Sequence, residues 1–143
     1  MPSYTIEETL NKWLLATAGI TALVSTRIHS NRPADTAAMP YLYFRLESEE
    51  YLEETFATPA GMIRAAVVSF TCVADRAAAG TKAARDIAEA VAELLRNYTG
   101  TPVVNGKTID AVTGLSIGSG LAEDSAYDEQ RVTMEARATI CYR

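Results

Sequence analysis

Five glutamates (Glu47, Glu49, Glu50, Glu53 and Glu54), one histidine and two cysteines are the residues of this chain whose types can carry chemistry. Clustered carboxylates hold a hard divalent cation through oxygen, or divide the work of a general acid and a general base. The spacing of these five matches no calcium loop, and no pocket partner can be named for any two of them. A solvated strand edge that resists wrong pairing explains the run more simply, and a partner-facing patch comes second. His29 stands in Arg27-Ile28-His29-Ser30-Asn31-Arg32; without a second histidine or a nearby cysteine it has no zinc site to join, and a local hydrogen bond is expected. Cys72 and Cys141 are too few and too far apart for a metal knuckle or a disulfide framework. Each lies in an apolar run and reads as a buried free thiol. Gly114, Gly118 and Gly120 are followed by no lysine and open no helix pattern, and Gly80-Thr81-Lys82 has the wrong order for a phosphate loop. No catalytic, metal or cofactor residue is therefore expected. The expected interaction residues are Glu47, Glu49, Glu50, Tyr51, Glu53 and Glu54.

Chemistry this thin directs attention to surfaces and to the elements that carry them. The chain has 143 residues, of which 48% are hydrophobic and 22% charged, values of an ordinary globular domain with one core. A formal net charge of -5 and a pI near 4.9 disfavour sequence-independent binding to nucleic acid, which depends on lysine and arginine neutralising phosphates. The first residues, MPSYTIEETL, show no basic segment followed by an apolar run, and no 18 apolar residues occur in succession, so neither export nor a membrane is expected.

The hydrophobic periods predict an α+β fold: one domain over 1–143, with a mixed, mainly antiparallel sheet packed by two α-helices and bearing long hairpin loops. Thr5 and Glu8 have capping-box spacing, and Ile6, Leu10, Trp13 and Leu14 share a helical face. Gly19 is expected to end or interrupt that helix, with a short turn at Ile20, Leu23 and Val24. Asn31 to Pro40 reads as an irregular connection. Tyr41 to Leu46 is a buried strand that continues through the glutamates into a projecting acidic hairpin, closed by a turn at Thr58-Pro59-Ala60-Gly61. The strand from Met62 to Ala74 is apolar on both faces, which predicts helices on one side and other chain or a neighbouring subunit on the other. Asp75 is a plausible cap for an amphipathic helix over Ala77 to Leu95. Asn105-Gly106 signals a hairpin joining Pro102 to Val104 with Lys107 to Val112. Gly114 to Asp128 reads as a mobile loop, and Arg131 to Tyr142 alternates as a strand with one buried and one wetter face.

This order of parts resembles the small tail-terminator, or tail-completion, proteins of long-tailed bacteriophages and prophages. The resemblance rests on Trp13-Leu14-Leu15, on Ile20 to Val24 leading to Arg27-Ile28, and on Met39-Pro40-Tyr41-Leu42-Tyr43-Phe44. It continues through the strand Ile63 to Asp75, the helix Ala77 to Leu95 and the closing strand. It implies a non-enzymatic virion protein at the head-proximal end of the tail, assembled in the host cytoplasm as a ring, usually of six copies. Such a ring stops polymerisation of the tail tube protein and presents a surface to the head-tail connector; no cofactor, membrane or sequence-specific nucleic acid is implied. A head-completion or connector ring of the neck is the nearest alternative, and a small ligand-binding α+β domain is the alternative from another class.

Overall fold

Thr5 starts the first helix as its spacing predicts, its Oγ1 accepting a hydrogen bond from the Glu8 backbone N–H at 3.1 Å. The helix, α1 (Ile6–Leu15), buries Ile6, Thr9, Leu10, Trp13 and Leu14 on one face. Thr5→Ala leaves a first-turn donor without its acceptor and is expected to cost about 1 kcal/mol. A lower urea midpoint with an unchanged m-value checks this. Gly19 does not end this helix. The chain leaves α1 at Leu15, and Gly19 lies inside a second short helix, α2 (Ala18–Val24), which buries Ile20 and Val24.

The computed structural model describes residues 5–31, 33–34, 37–51, 64–76, 80–97, 109–119 and 131–142. After α2 come β1 (Ile28–Ser30), β2 (Tyr41–Tyr51), β3 (Arg64–Asp75), α3 (Gly80–Arg96), β4 (Ile109–Ser119) and β5 (Arg131–Tyr142). The strands form one sheet in the order β1-β2-β3-β5-β4, parallel between β1 and β2 and antiparallel elsewhere. The α+β expectation of a mixed, mainly antiparallel sheet holds, with a third, short helix added to the two predicted.

Strand alternation sorts the sheet into two faces. Ala66, Val68, Phe70, Cys72 and Ala74 of β3 join Leu42 and Phe44 of β2, and alternate residues of β5 from Met134 to Tyr142, in the hydrophobic core. All three helices pack there, α3 through Ala84, Ile87, Ala88, Val91 and Leu95. Its wet side carries the i,i+4 pairs Lys82–Asp86 (2.7 Å) and Arg85–Glu89 (3.9 Å). On the opposite face Ser69 and Thr71 are also buried, yet among the described residues no helix covers them. We call this the open face.

Asp75, expected as a helix cap, is the last residue of β3, paired with Arg131; residues 77–79 lie outside the described residues. Two other expectations are corrected. Gly114 to Ser119 belong to β4 instead of a loop; two register shifts against β5, with Gly114 at φ +64°, break the alternation that would have announced a strand. Cys72 is buried as expected, but Cys141, which alternates onto the open face, is only half-buried. The turns expected at Thr58 to Gly61 and at Asn105-Gly106, and the remainder of the predicted loop at 120–128, lie outside the described residues.

Candidate interaction surface

The burial of β2 changes abruptly along its length. Tyr41, Leu42 and Phe44 are buried, whereas every residue from Glu47 to Tyr51 is exposed. The strand thus runs from the core onto an exposed arm at the sheet edge, bonded on one side to the start of β3, which is itself paired with β5. Apolar residues dictate the first half; the glutamates, which have no place in a core without partners, dictate the second.

A β-bulge lies at the change. Leu46 is opposite Val68, but Ser48 is opposite Val67, so Glu47 is an extra residue. Side chains on directly opposed residues share a face, and the pairs beyond the bulge are Glu49↔Ala66, Glu50↔Ala65 and Tyr51↔Arg64. Glu49 and Tyr51 therefore share the helix side with Arg64, and Ser48 and Glu50 take the open face. Contacts agree with this. The Arg64 guanidinium lies 4.9 Å from the Tyr51 ring centroid and 5.9 Å from that of Tyr142, and its Nη1 is 3.9 Å from Glu49 Oε1. Tyr51 stays 51% exposed, the most exposed large hydrophobic residue among those described.

Glu47 turns inward onto the open face. Its Oε1 accepts hydrogen bonds from Ser69 Oγ at 2.9 Å and Arg45 Nη2 at 3.2 Å, and its Oε2 lies 4.0 Å from Arg137 Nη2. Of the six residues expected as an interaction surface, the structure places Glu47, Glu49, Glu50 and Tyr51 on one arm; Glu53 and Glu54 lie outside the described residues. His29 sits on β1 with its ring edge-on to Tyr41 at 5.9 Å. Among the described residues no three of His, Cys, Asp and Glu are grouped as metal ligands. A shallow groove on the open face, lined by Ser116, Ile117, Gly118, Glu135 and Arg137, opens broadly to solvent.

With the arm and its clamps in view, the comparisons are decisive for family. The chain matches the family of tail completion protein gp17 over residues 8–139. It belongs to that family. The family is one of structural bacteriophage tail proteins and is not an enzyme class, so this tail completion protein is a structural tail protein and a virion component. The same fold occurs in a chain of the virion of the native gene transfer agent particle: TM-score 0.60, 20% identity, 96% of this chain and 95% of that one covered. At that identity the likeness concerns the fold. Curated protein sequences gave no match. No helix among the described residues of the tail completion protein is long and apolar enough to cross a membrane.

Residues around the arm that sequence reasoning missed are the cationic ones. Arg64 and Arg137 hold Tyr51, Glu49 and Glu47, yet each stands at an ordinary alternating strand position that reads as a solvated charge. The Ser69 hydroxyl and the Arg45 guanidinium, in that order, hold the Glu47 carboxyl below its ordinary value of 4.5. A carboxyl whose folded value is lowered contributes stability above its unfolded value, and that contribution is lost as pH falls through the lower folded value. Glu47→Gln is thus expected to flatten the acid limb of stability below about pH 4.5 and leave its dependence near neutrality unchanged. Urea midpoints measured from pH 2 to pH 7 on both proteins check it.

Proposed function

We propose that this tail completion protein acts as one domain that closes into a ring, usually of six copies, on the head-proximal end of the tail tube. The ring ends polymerisation of the tube protein and gives the head-tail connector a surface to join. The observation that carries this reading is the arm: the second half of β2, with Glu49, Glu50 and Tyr51 exposed along the edge of a sheet whose helices pack on one face. An exposed strand bonded on one side only has its other side available to a neighbour. Copies joined head-to-tail through unlike surfaces make rings when the rotation closes, and one ring face then occupies the place of the next tube subunit. The negative charge of the chain suits a ring through which DNA passes without being held. Assembly takes place in the bacterial cytoplasm.

Light scattering over a concentration series, with negative-stain images of the heaviest fraction, tests the ring directly. Closed rings are expected, either alone or on addition of tube protein; a strict monomer under both conditions contradicts the proposal. Glu49→Lys, Glu50→Lys and Glu53→Lys together are expected to leave the circular dichroism spectrum unchanged and weaken ring or tube association by at least about tenfold, because like charges set against a partner are costly. Unchanged association removes the arm from the mechanism. Binding of purified rings to connector but not to tube would instead favour the neck-ring alternative.

A further inference from the structure

The bulge decides which way the arm residues face. Continuing from Leu46↔Val68 without an extra residue would set Glu47 opposite Val67, Ser48 opposite Ala66, Glu49 opposite Ala65 and Glu50 opposite Arg64. The observed pairs run Ser48↔Val67, Glu49↔Ala66, Glu50↔Ala65 and Tyr51↔Arg64. A one-residue slip therefore moves every side chain from Ser48 onward to the other face. Both registers suit Arg64. In the observed one it meets Glu49 and Tyr51; in the slipped one it faces Glu50, while Tyr51 passes to the open face. The slipped register also restores the ladder that a bulge interrupts.

We propose that Glu47 is the lock that holds β2 in the bulged register, so that it positions the arm instead of meeting a partner. Arg45, Ser69 and Arg137 form a row of directly opposed residues across β2, β3 and β5. The Glu47 carboxylate bonds to the first two and lies 4.0 Å from the third. In an unbroken strand its Cα would stand opposite Val67, a full two-residue step of about 7 Å from that row. A bulge re-aims the side chain it carries, and here the Glu47 carboxylate reaches the row. Keeping the carboxylate on the row keeps the extra residue in the strand, and with it the assignment of Tyr51 and Glu49 to the helix side. Loss of the lock exchanges the two faces of the arm.

Engineered cysteine pairs read the register within one chain, whatever the state of assembly, so the result does not depend on the ring proposed above. Cys141 is first replaced by serine, because it stands opposite Ala65 on β5. With Glu47 present, oxidation is expected to close the pair Glu50→Cys/Ala65→Cys and leave Glu49→Cys/Ala65→Cys open, as judged by mass spectrometry of peptide fragments. Adding Glu47→Ala is expected to transfer closure to the second pair. If the first pair still closes as before and the second stays open, Glu47 is not the lock. Should Glu47→Ala fail to fold, Glu47→Gln keeps an acceptor for Ser69 and drops the charge facing both arginines. It is expected to transfer part of the crosslink, and no transfer overturns the proposal.

Discussion

Phe70→Ala is expected to remove about 3–5 kcal/mol of stability, a large part of what a domain of this size possesses. Phe70 is fully buried at the middle of β3, the strand with bonded neighbours on both sides. Its partners across the sheet are Phe44 on β2 and Ala136 on β5. The Phe44 ring lies 6.3 Å away at 44°, and the alanine is too small to fill a void left by the lost ring. The helix layer above is pinned at many other points, so the cavity collapses only in part. A fall in Tm of roughly 10 °C or more is the expected reading, provided the variant folds at all. Val67→Ala, half-buried on the other face, is the control and should lose much less. A loss at Phe70 no larger than at Val67 would mean that the two faces have been assigned the wrong way round.

The two cysteines are expected to differ in reactivity by at least about a thousandfold. Burial pushes the Cys72 thiol far up from its ordinary value, on a side chain under the helix layer. Only the thiolate attacks an alkylating reagent, so Cys72 must both be reached and lose its proton, and in the native protein neither occurs. Its labelling then waits for unfolding, whose equilibrium constant for a domain of ordinary stability lies at or below about 10⁻³. Cys141, half-buried on the open face, is labelled from the native state. Iodoacetamide labelling followed by peptide mass spectrometry gives both rates from one sample. Comparable rates would show that the layer of helices lifts from β3 without global unfolding.

Period and composition made the secondary elements legible; the pairing of strands was much less so. Thr5, Ile6, Leu10 and Trp13 marked α1 because a cap and a helical face are local properties. The stripe of α3, described from Gly80 to Arg96, is legible for the same reason. The second half of β4 was missed because its glycines and serines carry little strand preference, and its two register shifts erase the period of two. β1 has three residues and depends on its parallel neighbour for existence, so it has no period of its own to read. The acidic arm was legible as charge, but the faces of the arm were not. Whether Glu49 or Glu50 shares a side with Arg64 depends on one inserted residue, and Glu47 looks like its neighbours until Ser69, Arg45 and Arg137 are brought around it.

The place of β5 bears on how the subunit is made. Although last in sequence of the strands described, it lies between β3 and β4 and pairs with both along most of its length. On a ribosome β3 emerges long before this neighbour exists. The helix that follows can shield one face of β3, but its unpaired edge stays available to any other nascent chain until residues 131–142 have been synthesised. A prematurely terminated product keeps β4 with nothing to join it to the sheet, and the core lacks the residues that β5 supplies from Met134 to Tyr142. Closure of the sheet is therefore a checkpoint set by translation itself: only a chain translated through residue 142 has a finished surface with which to enter assembly.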